Sequence, residues 1–297
     1  MNILLTGASG LVGTHLIPLL IANGHRVKTL SRSRISNPAI ESYLWNINNG
    51  FVEEGAFESI DAIIHLAGEN VGEKRWTDTQ KRNLYSSRIE SSKLLKKYCE
   101  EKGLSLSHFI SASGISYYGT VTQREPFVES DKPGTDFLAQ LSVDWEQAAD
   151  EFNKIANKVI KLRISMVLSK DGGAVQKIAN TMNFGPAVVM GSGAQWMPWI
   201  HIDDLNGIIL HALSHSVPSG SYNMLSDEIP NNSMFMEELG KLKKRPRIYL
   251  PKFLIKLILG EMSCILLEGS PASNHKIKDT GYKFKYSYLS EALKTCF

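Results

Sequence analysis

The chain begins MNILLTGASGLVG, and the segment Thr6–Gly13 constrains the fold more than any other. Gly7, Gly10 and Gly13 follow an apolar run and precede a helical pattern. In this context each glycine has a separate purpose. The first permits a tight turn, the second lets backbone approach a pyrophosphate, and the third lets helix pack closely on strand. The helix N-terminus then offers unpaired N–H groups and the positive end of its dipole to phosphate. No GK[ST] follows, so this is not a Walker-type loop.

The pattern continues with short apolar runs separated by longer helical stretches. Strands are expected at 3–6, 26–31, 43–46, 62–67, 108–112 and 159–167, and helices at 11–23, 78–102 and 137–153. Strands separated by helices pair in parallel through right-handed crossovers, and their two-sided apolarity means helices on both faces. The reading is α/β: a Rossmann-type doubly wound parallel sheet with a smaller, mostly helical C-terminal lobe. The nucleotide-binding domain is expected over 1–168, with returning segments near 198–226, and the lobe over 169–297. Gly24 should end the first helix, Thr77 should cap the helix at 78–102, and Pro18 should kink the first. After 167 the breaks at 171–173, 185–186 and 191–193 change the rhythm, and helices at 233–242, 252–259 and 289–295 follow with little strand.

Composition bounds the partners. The 33 basic and 30 acidic residues leave a formal charge of +3, too mild to make nucleic acid the main partner. Three scattered cysteines, Cys99, Cys264 and Cys296, argue against a disulfide framework and fit a reducing, cytoplasmic setting. The stretch 252–267 is interrupted by Lys256 and Glu261 and is too short for a membrane span. It is expected to be an amphipathic helix packed on the protein.

The end of the second strand bears on the cofactor. NAD-preferring proteins usually place Asp or Glu there to bind the ribose 2′-hydroxyl. This chain reads Thr29-Leu30-Ser31-Arg32-Ser33-Arg34 and has no carboxylate before Glu41. Arg32, with Ser31 or Ser33, suits a 2′-phosphate, so NADP (as NADPH) is the expected cofactor.

The segments TGASGLVG, IIHLAGENV and ISASGISYYG, in that order, resemble the extended short-chain dehydrogenase/reductases, relatives of the nucleotide-sugar epimerases and dehydratases. LAGENV, SRIESSKLL, DFLAQLSVDWE, DGGA, GSGAQWMPWIHIDDL and a C-terminal LPKFLIKLILGEMSCILLEG are similar to an atypical subgroup called epimerase family proteins. The resemblance spans nearly the whole chain. It implies that Gly7, Ser9, Gly10, Leu11, Val12 and Gly13 cradle the pyrophosphate and that Ser31 and Arg32 hold the 2′-phosphate. It also implies that Leu66, Ala67 and Gly68 line the ribose and nicotinamide side. Asn83, Arg88 and Ser111 would serve the cofactor, and Val167 would close the nicotinamide pocket.

One departure matters. The superfamily's usual Tyr-x-x-x-Lys is missing from 136–146, where Phe137, Leu138, Leu141 and Ser142 stand instead. The single match, Tyr98 to Lys102, lies on the wrong helix. Ser113 matches the usual serine, and Tyr118, Tyr117 and Glu69 are the remaining acid–base candidates, Tyr118 first. His201, Asp203 and Asp204 read as a strand leading into a helix capped by Asp203, rather than as a metal site. Trp196, Met197 and Trp199 are candidates to wall a substrate cleft. Two functions stay open. One is an NADP-dependent oxidoreductase or epimerase, acting on a small molecule such as a nucleotide sugar. The other is an NADP(H)-binding regulatory or interaction protein.

Overall fold

The computed structural model describes residues 1–297. In chain order the first half runs β1 (Asn2–Thr6), α1 (Leu11–Ala22), β2 (Arg26–Ser31), β3 (Glu41–Asn46), β4 (Phe51–Val52), β5 (Ala62–His65), α2 (Asp78–Tyr85) and α3 (Ser91–Glu101). It continues with β6 (Leu106–Gly114), α4 (Phe137–Asp150), β7 (Ala156–Ile164) and β8 (Met166–Leu168). The second half runs α5 (Ala174–Thr181), β9 (Ala187–Met190), β10 (Trp199–His201), α6 (Ile202–Ser214), β11 (Gly220–Met224), α7 (Asn232–Lys243), β12 (Arg247–Leu250) and α8 (Lys252–Leu259). Three short helices close the chain: α9 (Cys264–Leu267), α10 (His275–Lys278) and α11 (Leu289–Cys296).

Eight strands form the main sheet in the order β11-β7-β6-β5-β1-β2-β3-β4. All its pairs are parallel except β3 with β4. The alternation of side chains along each strand builds two cores. Ile3, Leu5, Ile64 and Ile110 face α1 and α6. Leu4, Ile63 and Phe109 face α3 and the end of α4. The chain leaves β1 toward β2 on one side and returns to place β5 on the other. The switch point therefore lies between β1 and β5, with a crevice above their carboxyl ends.

Several boundaries differ from the sequence reading. The run 159–167 is two strands, because β8 breaks away after Ser165 and pairs with β10. Ser165 marks the break by donating from both its N–H and its Oγ to the Met224 carbonyl. The run 78–102 is not one α-helix but is interrupted by a π-helical turn at Ser86–Glu90. The helix α1 passes through exposed Pro18 without a break in its assignment. Thr77 caps α2 by accepting from the Gln80 N–H. The second half holds its own parallel pair, β9 with β12, which apolar periodicity did not reveal. Its core of Val175, Val189, Trp199, Phe235 and Leu293 is separate from the two sheet cores.

Candidate functional site

The turn after β1 is built around bare backbone. Gly7 has φ +71°, and a Cβ on it would lie 2.6 Å from the Leu66 carbonyl carbon and oxygen. A Cβ on Gly13 would lie 2.5 Å from the Gly7 oxygen and 2.7 Å from the Ala8 Cα. Real Cβ atoms do not approach backbone this closely, so these two glycines let α1 and the β5 loop close on the turn. Gly10 is the N-cap of α1, with no side-chain cap and no acidic residue in the first turn. The helix end is thus left open to an anion.

This turn floors a cavity of about 910 Å³. Gly7, Ser9, Gly10, Ser31, Arg32, Leu66, Ala67, Gly68, Glu69 and Asn83 all line it. The end of β2 distinguishes two arginines. Arg34 donates to the Ser42 carbonyl and to Glu53, so it is committed to the fold. Exposed Arg32 has no hydrogen bond or ion pair and stands at the cavity wall. Trp45–Asn48, after β3, also line the cavity, as do Lys74 and Gln80. Sequence reasoning missed these residues. They come from the end of β3, the turn after it, a loop and the first turn of α2, none of which carries a local motif.

Leu11, Val12 and Gly13 form the first turn of α1, and Leu11 lies beneath a second loop. A Cβ on Gly173 would meet its Cδ2 at 3.1 Å. The His15 Nε2 lies 2.9 Å from Asp171 and ties that loop to α1. Val167 sits on β8 opposite Ile200 and packs against the α1–α6 core. Ser111 is fully buried beside His65 in the sheet, its hydroxyl donating to the Ala112 carbonyl.

Arg88 does not line the cavity. It lies on the π-helical turn, and π turns recur at functional sites. Its guanidinium donates to the Leu84 and Glu69 carbonyls and packs over Trp145. Burial lowers its pKa to about 10, so it stays charged at neutral pH. Arg88, expected to serve the cofactor, bonds the Glu69 carbonyl and so braces the Gly68–Glu69 backbone that lines the cavity. Beneath it, His65 links β1 to the same turn through Thr6 Oγ1 at 2.7 Å and Ser91 Oγ at 3.1 Å. Burial lowers the His65 pKa to about 4, so the imidazole is neutral and serves as a strut.

The acid–base candidates separate sharply. Ser113 Oγ donates to Glu146 Oε1 at 2.9 Å. Arg163 clamps the same carboxylate through Nε at 2.7 Å and Nη2 at 2.9 Å. Ser221 Oγ adds a further bond to Oε2. Burial works against charge on Glu146, but the bonds and charge of Arg163 hold its carboxyl below the usual range. Tyr118 is only 3% exposed. Its hydroxyl donates to Asn223 Oδ1 and accepts from Arg163 Nη1. Burial pushes its pKa up to about 12. Tyr117 lies under the Arg163 guanidinium at 3.4 Å. The hydroxyl of Tyr118, the first proton-donor candidate in the sequence, is thus bonded within a buried network. Only Glu69 among the four candidates lines the cavity, its Oε2 accepting from Gln80 Nε2 at 3.1 Å.

Other readings resolve as follows. Trp199 is fully buried in the core with Val175, Phe235 and Leu293 and walls no cleft, whereas Trp196 and Met197 are half-buried. His201, not Asp203, caps α6, with Nδ1 accepting from the Asp203 N–H. Asp203 pairs with Lys285, while buried Asp204 accepts from Tyr282 Oη and the N–H groups of Lys285 and Tyr286. Those carboxylates pin the C-terminal tail. Tyr98 bonds the Gly50 carbonyl and stacks on Phe57, which takes it out of any Tyr-x-x-x-Lys role.

A crevice at the sheet's switch point, floored by a glycine turn and an open helix end, defines a nucleotide-binding α/β protein. The chain belongs to the NAD dependent epimerase/dehydratase family, whose model matches residues 3–224. Residues 250–296 match a domain of unknown function, DUF1731. Within that family it is similar to epimerase family protein ML0860 of Mycobacterium leprae, 33% identical over 97% of this chain and 93% of that one. It is also similar to epimerase family protein SSP1921 of Staphylococcus saprophyticus, 32% identical over 98% and 97%. The crystal structure of human epimerase family protein SDR39U1 with NADPH superposes with a TM-score of 0.84 at 30% identity, covering 99% of this chain and 98% of that one. UDP-glucuronic acid 4-epimerase from Bacillus cereus shares the fold, with a TM-score of 0.79 at 21% identity.

Proposed function

We propose that this chain binds NADPH in the switch-point crevice and acts as an NADP(H)-dependent oxidoreductase or epimerase on a small molecule. The observation that carries this reading is Arg32, an unpaired guanidinium on the cavity wall where an NAD-specific carboxylate would stand. The glycine turn fits the group, since Gly7 and Gly13 let the backbone close tightly and Gly10 leaves the α1 N-terminus without a side-chain cap or an acidic first turn. The human relative crystallised with NADPH supports the same reading. Residues Gly7–Val12 would hold the pyrophosphate with backbone N–H groups, and Ser31 with Arg32 would hold the 2′-phosphate. Bound NADPH supplies hydride exchange. Glu69 is the side chain placed to hold or move a proton at its Oε1, with Oε2 steadied by Gln80.

Titration of the nucleotides by fluorescence or calorimetry tests the cofactor. Wild type is expected to prefer NADPH to NADH. Arg32→Ala is expected to weaken NADPH at least about tenfold, because a charge-assisted contact contributes roughly 1.5–3 kcal/mol. NADH affinity should barely move. Equal wild-type affinities would sink the reading. For the chemistry, Glu69→Gln is expected to lower turnover about 10²–10⁴-fold with NADPH affinity intact, the usual contribution of a placed proton donor. Undiminished turnover would remove Glu69 from the mechanism.

A second reading, an NADP(H)-binding protein without turnover, has its own support. The helix α4 carries no Tyr-x-x-x-Lys in any register, presenting Phe137, Leu138, Leu141 and Ser142 instead, and buried Ser142 is bonded to the Leu138 carbonyl and Ser116. A broad screen of carbonyl compounds and nucleotide sugars in which bound NADPH never changes oxidation state would favour it.

A further inference from the structure

The sequence reading expected 252–267 to pack on the protein, but the structure leaves most of α8 bare. Phe253 is 67% exposed, Leu257 76% and Ile258 63%, and only Ile255 is buried. On the helical wheel Phe253, Leu254, Leu257 and Ile258 form one continuous apolar arc, and Lys252 and Lys256 border it one turn apart. The strand leading in, β12, is the edge of a two-stranded sheet and exposes Ile248 and Tyr249. The whole ribbon 241–256, KLKKRPRIYLPKFLIK, carries seven lysines and arginines and no carboxylate. Lys241, Arg247 and Lys252 pair with Glu237, Glu238 or Glu268. Lys243, Lys244, Arg245 and Lys256 have no ion pair. The ribbon that carries the exposed apolar stripe thus also carries four cations without an ion pair, with Glu261 and Glu268 the carboxylates that follow it in the chain.

We propose that α8 and the basic ribbon leading into it form a docking surface for an anionic lipid bilayer. The two halves of the surface match the two layers such a bilayer presents. The apolar arc is short and lies along the surface, which suits shallow insertion at the boundary between headgroups and acyl chains. The long lysine stems beside it can run along that boundary and keep their ammonium groups among lipid phosphates. The chain has no helix long and apolar enough to cross a membrane, so this is contact with one leaflet. Charge complementarity alone would suit a nucleic acid, but a polyanion in water gives Phe253, Leu257 and Ile258 no apolar partner. The surface lies outside the nucleotide cavity, so the proposal does not rest on the cofactor reading.

Sedimentation of the full chain with vesicles tests it. Vesicles of phosphatidylcholine with 30% phosphatidylserine should pull the protein down at about 0.1 M salt and release much of it at about 0.5 M. Pure phosphatidylcholine should bind at least about tenfold more weakly. Phe253→Ser with Leu257→Ser should abolish vesicle binding while NADPH titration and thermal unfolding stay those of wild type. Lys252→Glu with Lys256→Glu should abolish it too. Several outcomes would overturn the proposal: no binding to anionic vesicles, or binding that survives the Phe253/Leu257 change. So would light scattering that shows α8-dependent self-association, or RNA binding, in a protein that ignores vesicles.

Discussion

Replacing Glu146 with leucine is expected to lower the unfolding free energy by about 3–5 kcal/mol, the range seen when one member of a buried ion pair is removed. Arg163 is only 3% exposed, and it would keep its charge with no carboxylate to meet it. Ser113 and Ser221 would lose their acceptor in the same step. The pair joins β6, α4, β7 and β11, and through Arg163 Nη1 it holds Tyr118 and the Glu129 carbonyl. Unpaired charge is the cause of the loss, so adding Arg163→Met to Glu146→Leu should recover much of it. Urea unfolding of the two variants is the measurement. A single variant within about 1 kcal/mol of wild type would mean that water reaches the site and that the network is less dry than its burial indicates.

Gly7→Ala is expected to reduce NADPH affinity about a hundredfold or more and to lower stability by about 2–4 kcal/mol. Two effects combine. A left-handed backbone costs a residue with a Cβ roughly 1–2 kcal/mol. In addition the methyl would lie 2.6 Å from the Leu66 carbonyl, so the turn after β1 or the end of β5 must move. Either movement misplaces the N–H groups meant for the pyrophosphate. Gly24→Ala is the control, because Gly24 has φ +77° but nothing within 4 Å of a Cβ. It should show the conformational cost alone and leave nucleotide binding unchanged. If both variants lost stability equally and both bound NADPH normally, the close approach at Gly7 would not be what the cradle depends on.

Much of this was legible in the sequence because the governing physics is local. The glycine spacing, the apolar runs and the Thr77 cap each act within a few residues, and the parallel sheet follows from their alternation. The cavity-lining residues Gly7, Ser9, Ser31, Arg32 and Leu66–Gly68 were readable for the same reason, since each sits at a strand end flagged by its neighbours. The acid–base candidates were not. Tyr118 and Ser113 stand at suggestive places in the chain, but what they contact is decided by Glu146, Arg163 and Asn223, which come from α4, β7 and β11.

By itself, then, the sequence determined the doubly wound architecture, the glycine turn after β1 and the basic end of β2. These depend on backbone conformations and hydrophobic periods that short segments carry alone. Only the tertiary structure decided which of two arginines is free, because Glu53 of the loop after β4 engages Arg34 and leaves Arg32 bare. It likewise set Arg88 on the Glu69 carbonyl, tied Tyr118 to Asn223 and Arg163, buried Trp199 in a separate core and left α8 uncovered. In each case the deciding partner is distant in the chain, and burial and pairing across such distances are fixed by packing rather than by local pattern.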